Sequence, residues 1–303
     1  MYLRSLSKTV SVEKKRLKKI FNFIFKLVVT VLAIYIVVRK IDMSELWLNI
    51  KTVNLFYFLL ALIVLGGSKI IEAYRLNVFF RAKKIILYHI QNLKLYLLGM
   101  FYNLFLPGGI GGDGYKVYWL KKNQDANLKS IIWASILNRV SGLFGLLILI
   151  SISTIFLSYD FKYNNFLVFL IPLGYLVYFF FLKLFFKDYI STLPKTTIQS
   201  VIIQFLQLVS AHFLLLGLGL QSGFNDYWFL FLISGIIFAI PVTLGGFGSR
   251  ELVFVYASQF LEVDVNIAVA LGLLTYVLRA ILSFSGVYFL IFPHKLNDNN
   301  SAS

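Results

Sequence analysis

Apolar residues run through this chain in long unbroken blocks rather than at amphipathic spacing. Six such segments stand out, at about 21–38, 53–72, 131–157, 166–186, 198–220 and 265–292. Roughly 17–25 apolar residues suffice for one helix to cross a bilayer. Two further apolar stretches are interrupted: about 92–120 at Pro107-Gly108-Gly109, and about 227–261 at Pro241 and Gly245-Gly246. Proline cannot continue a helical hydrogen-bond ladder, and paired glycines relax the backbone. Each break therefore leaves two half-segments, as a re-entrant hairpin or as two short spans. The pattern predicts an all-α polytopic membrane protein with six full spans and two broken segments. It forms a single transmembrane domain over 1–303, with a polar, disordered tail at 294–303.

Composition narrows the picture. Hydrophobic residues make up 59% of the 303 and charged residues 14%, against about 45–50% and 25% in ordinary soluble domains. This excludes a soluble enzyme, a disordered chain and a disulfide scaffold. There is no cysteine, and the three histidines (His89, His212 and His294) are scattered. Neither a metal site nor any cofactor is expected.

The net charge of +16 points to anionic lipid rather than nucleic acid, because Lys and Arg collect in the cytoplasmic loops of membrane proteins. The segment before the first span is basic, as are residues 72–94, 115–130 and 183–195, whereas Asp160, Asp226, Glu262 and Asp264 sit in the intervening loops. Both termini are then expected on the cytoplasmic side of the cell membrane. The first apolar run lacks a small-residue cleavage site, so it is expected to remain as a span. Trp47, Trp119, Trp133 and Trp228 fall near the expected interfaces, where belt residues gather.

The two breaks resemble each other. Residues 107–116, PGGIGGDGYK, align without gaps on 241–250, PVTLGGFGSR. Proline, a Gly-Gly pair, a later glycine and a final basic residue coincide. Each motif follows two full spans and precedes a long apolar span carrying an arginine, Arg139 or Arg279. Three full spans per half would turn the second half upside down, giving inverted repeats at about 20–158 and 159–293. Paired, broken segments in inverted halves point to a substrate site near the membrane midplane.

Candidate site residues follow from this arrangement. Broken backbone at membrane depth must be buried in protein or line a wet cavity, and helix N-termini after the breaks would direct amides into it. The glycines Gly111, Gly112, Gly114, Gly245, Gly246 and Gly248 belong to those turns, with close helix packing as the alternative. Lys116, Arg139, Arg250 and Arg279 supply charge within apolar sequence, and intramembrane ionisable groups are functional by default. Asp113 and Glu251 could pair with Lys116 and Arg250 or carry a coupling proton. Glu72 could pair with Arg75 three residues on, or serve the same coupling role. His212, with Gln204 and Gln207, could line the cavity or make interhelical hydrogen bonds. Gly109-x-Gly111-x-x-Gly114 matches the dinucleotide fingerprint in letters only, since no strand precedes it.

Asn103-x-x-x-Pro107 with its glycines, Asn138-Arg139-x-x-Gly142, the second motif ending in Arg250-Glu251, and Arg279 together resemble the lysylphosphatidylglycerol synthase transmembrane-region family, also called the flippase-like domain family. Asp113 stands where many relatives differ. In bifunctional relatives this region moves an aminoacylated lipid that a separate soluble domain makes. Little sequence follows the last span here, so the resemblance implies a stand-alone lipid translocase without lysyl transfer. It would hold an anionic head group, of a phospholipid or a polyprenyl-phosphate-linked lipid, with Lys116, Arg139, Arg250, Arg279, Asn103, Asn138 and the motif glycines. It also implies a link to lipid-modifying or glycosyl-transfer enzymes of the cell envelope. A membrane-embedded transferase acting on a lipid-linked substrate and an envelope scaffold are the alternatives.

Overall fold

A computed structural model describes residues 27–28, 31–32, 34–40, 42–105, 111–124, 126–157, 164–239, 248–261 and 263–296. Among these every regular element is helical. After a helical stretch at 34–40 come α1 (Met43–Lys51), α2 (Leu55–Ala82), α3 (His89–Phe105), α4 (Gly111–Gln124) and α5 (Leu128–Ser153). Then follow α6 (Asn164–Phe185), α7 (Leu193–Gly217), α8 (Phe224–Ala239), α9 (Ser249–Ala257), α10 (Val265–Phe284) and the short α11 (Val287–Ile291).

The long helices begin where the sequence offers a cap. Asn54, Asn127 and Asp264 accept hydrogen bonds from first-turn amides of α2, α5 and α10, which satisfies donors that a helix start leaves free. Pro194 sits in the first turn of α7, where its missing N–H costs nothing. Four helical stretches, Leu55–Ala82, Leu128–Phe156, Lys187–Gly217 and Val265–Ile291, are long and apolar enough to cross a membrane. Large apolar side chains such as Ile63, Leu184 and Ile198 are more than half exposed on the outer surface, as lipid-facing positions should be. The chain is therefore a multi-pass membrane protein. About half of the first apolar run lies outside the described residues, as do both motif prolines, Gly245, Gly246 and residues 297–303; residues 294–296, expected in the disordered tail, instead belong to a 3-10 turn (Pro293–Leu296) with Leu296 buried.

Contacts between chain-distant segments define the two ends of the bundle. At one end Lys83 pairs with Asp188, Gln124 donates to the Ile86 carbonyl (3.0 Å), and Lys94 donates to the Lys295 carbonyl (2.9 Å). Lys84, Lys121, Lys122 and Lys187 border these contacts in sequence, so this end is strongly basic. At the other end Asn266 donates to Glu45 (2.6 Å), the Asp264 amide donates to the Tyr227 hydroxyl (2.8 Å), and the Asn54 amide donates to the Gly217 carbonyl (2.9 Å). Asp42, Glu45, Asp226 and Asp264 make that end richer in acid.

The broken segments are helical hairpins. α3 and α4 both start or finish at the basic end, and α8 and α9 at the acidic end. The outer ends of these two helix pairs therefore lie at opposite ends of the bundle. Their packing corresponds: α3 lies on α4 and α8 on α9, α5 touches α8 and α10 touches α3, α2 touches α5 and α7 touches α10. The most extensive contact joins α2 to α7. Gly112 shows how tightly the first hairpin closes, since a Cβ there would sit 2.1 Å from the Gly99 carbonyl oxygen.

Candidate functional site

A cavity of about 330 Å³ lies between the hairpins. Its walls come from α2, α3, α4, α5, α7, α8, α9 and α10. Lys116, Arg139, Arg250, Arg279, Asn103, Asn138, Glu72 and Asp113 all line it, together with Gln204 and Gln207. Eight residues singled out in the sequence, from Glu72 to Arg279, therefore line one cavity.

Three groups of charge divide the cavity. In the first, Glu72 takes a 2.8 Å contact from Lys69 and lies 4.0 Å from Arg75. Its main partner is thus Lys69, not Arg75 as the spacing alone suggested. Arg75 is 2% exposed and serves as a cross-brace: its Nε donates to Asn138 (2.9 Å) and its Nη1 to Ser200 (2.7 Å), tying α2 to α5 and α7. In the second group Asp113 accepts two bonds from Arg139, at 3.0 Å and 2.7 Å, and lies 3.4 Å from Lys116. The Lys116 ammonium also sits over the Tyr96 ring at 4.7 Å.

The third group, Arg250 and Arg279, differs. No carboxylate forms an ion pair with either among the described residues. Arg250 lies over Phe231 (4.3 Å) and Phe238 (5.5 Å), and Arg279 lies over Phe238 as well, 4.2 Å from its centroid. Arg279 donates to Gln207 at 3.2 Å. Arg250 Nε and Nη1 and Arg279 Nε are buried without a hydrogen-bond partner. Cation–π contact softens the desolvation of such groups but does not satisfy their donors.

The motif backbone contributes less than expected. The Gly112 amide donates to Asn103 at 2.7 Å, so Asn103 caps α4 and that amide is not offered to a ligand. Gly111 opens α4 and Gly114 lies in its first turn, and neither lines the cavity. Gly248 precedes α9 with φ 80°, a left-handed conformation that glycine adopts readily. Glu251 sits behind Arg250 in a small adjoining pocket, with Oε2 unpartnered, and forms no ion pair with it.

Two expectations are corrected. His212 does not line the cavity: it packs edge-on against Phe224 (4.8 Å) and Trp228 (5.4 Å). It lies five residues after Gln207, which at about 100° per residue turns it well away from that side chain. Trp119 is 5% exposed and belongs to the core, whereas Trp47 and Trp133 are exposed. Lys69, Tyr96 and Ser200 join the site without having been singled out. Lys69 carried a signal, because it is a charge one turn before Glu72 inside an apolar span.

A multi-pass helical membrane protein enclosing a basic cavity is the class that this geometry defines. The family model for the lysylphosphatidylglycerol synthase TM region matches residues 23–286, and the chain belongs to that family. Neither curated proteins nor solved structures give a match.

Proposed function

We propose that the protein carries the head group of an anionic lipid across the membrane, holding it between the two hairpins while the tails stay in lipid. One observation carries this reading: Arg250 and Arg279 line the cavity without a carboxylate partner among the described residues, and Arg250 Nε and Nη1 and Arg279 Nε are buried with no acceptor. Cations held at that depth without counter-charge are costly, and an anionic ligand removes the cost. The cavity volume suits a head group rather than a whole lipid. Membership of a membrane family associated with lipids agrees with it.

In this reading the halves are inverted repeats, and the hairpins are re-entrant. The corresponding helix contacts and the outer ends of the two helix pairs at opposite ends of the bundle support both points. The α2–α7 contact lies on the pseudo-two-fold axis, so rocking about it would open the cavity to each side in turn. The basic end is cytoplasmic by the bias of Lys and Arg, and both termini lie there.

The test is head-group movement in proteoliposomes containing labelled anionic lipids. Arg250→Ala and Arg279→Ala should each slow movement by roughly two orders of magnitude, the scale for truncating a buried charge that meets its partner. Absence of movement for every anionic phospholipid and polyprenyl phosphate tried would overturn the proposal.

A further inference from the structure

The charges around the cavity do more than select an anion; they bound how much negative charge it must carry. Glu72 serves two cations, Lys69 and Arg75. Asp113 likewise serves two, Lys116 and Arg139. Each carboxylate therefore leaves one positive charge over. Arg250 and Arg279 add two more, so among the described residues the six basic and two acidic side chains lining the cavity leave a formal surplus of four. Counting Glu251, which backs Arg250 from the adjoining pocket, still leaves three.

Building on the translocase reading, we infer that the preferred cargo bears a terminal phosphate or diphosphate, and that phosphodiester and ammonium-bearing head groups are disfavoured. A phosphodiester brings a single negative charge. A terminal phosphate brings about −1.5 to −2 at neutral pH and three strong acceptor oxygens. Three buried guanidinium nitrogens, Nε and Nη1 of Arg250 and Nε of Arg279, stand without acceptors. Guanidinium forks match phosphate oxygens in geometry as well as charge. Phe231 and Phe238, stacked on these guanidiniums, hold the forks in place before the ligand arrives and so reduce its ordering cost. An ammonium on the head group would meet a surplus of its own sign.

The experiment separates this inference from the translocase reading by measuring binding and movement independently. The full chain in detergent is titrated with short-chain phosphatidate, phosphatidylglycerol and phosphatidylethanolamine of identical tails, reading the thermal midpoint. Proteoliposomes report movement of labelled versions of the same three. Phosphatidate should bind about tenfold more tightly than phosphatidylglycerol, as expected when a second ligand charge meets buried guanidiniums, and should move faster. That preference should vanish in an Arg250→Gln, Arg279→Gln double variant and survive in part in Arg250→Lys, which keeps the charge but loses the fork.

Equal binding of phosphatidate and phosphatidylglycerol overturns the inference, even if both are moved. A preference unchanged in the double variant also overturns it, since the surface charge alone would then account for binding. Selective phosphatidate binding without movement of any lipid supports the assigned site while overturning the translocase reading.

Discussion

Lys116 and Arg250 end two ten-residue stretches that align without gaps, yet the two hairpins treat them differently. In the first, the carboxylate of Asp113 stands three residues before Lys116 and also takes two bonds from Arg139. In the second, Phe247 fills the aligned position, and Arg250 and Arg279 have aromatic rings where their counterparts have a counter-ion. One acid-to-aromatic difference thus separates a half of the cavity that holds a counter-ion from one whose two arginines have none.

The glycines allow the sharpest attempt to break this comparison. Gly112→Leu should abolish assembly of the first hairpin, costing about 3 kcal/mol or more because the neighbouring atom is rigid backbone. Loss of a monodisperse species in detergent would register it, and a well-folded Gly112→Leu protein would refute the close-packing role.

Opposite signs are expected for the charges. Asp113→Asn should destabilise by about 2 kcal/mol, since it strands the buried Lys116. Arg250→Met should leave stability unchanged or raise it, because replacing an uncompensated buried charge with an apolar side chain removes a desolvation cost. Chemical unfolding of both variants in one detergent checks the pair. Equal destabilisation would mean that the two hairpins are electrostatically alike.

The smallest contrast falls at aligned positions with different backbones. Gly114 lies in a helix with open space beside it, so Gly114→Ala should stabilise by about 0.5–1 kcal/mol. Gly248 has φ 80°, so Gly248→Ala should cost about 1 kcal/mol. The thermal midpoints should move in opposite directions.

Much of this is legible in the sequence, for identifiable reasons. Bilayer-length apolar runs and Gly/Pro breaks are local signals, and α2, α5, α7 and α10 appear where they place them. Charges inside apolar spans have few places to go except inward, and for that reason Arg139, Arg279, Lys116 and Arg250 converge. The Arg75 brace was not legible, because its partners Asn138 and Ser200 lie 63 and 125 residues away and are ordinary polar residues in sequence. The capping of Gly112 by Asn103 depends on how the hairpin closes, which spacing does not reveal. The position of His212 was not legible either, since it lies eight residues from Gln204, only about 80° away on the helix, and its partners Phe224 and Trp228 lie on the next helix.

The stacking of Arg250 on Phe231 and Phe238 also bears on biogenesis. A nine-residue helix such as α9 is too short to be recognised as a span, and an arginine near the bilayer centre costs roughly 2.5–3.5 kcal/mol on insertion scales. Both rings that shield the guanidinium lie on α8, the helix synthesised just before it. The second hairpin therefore brings its own shield from the ribosome. For these two ring contacts Arg250 does not depend on α10.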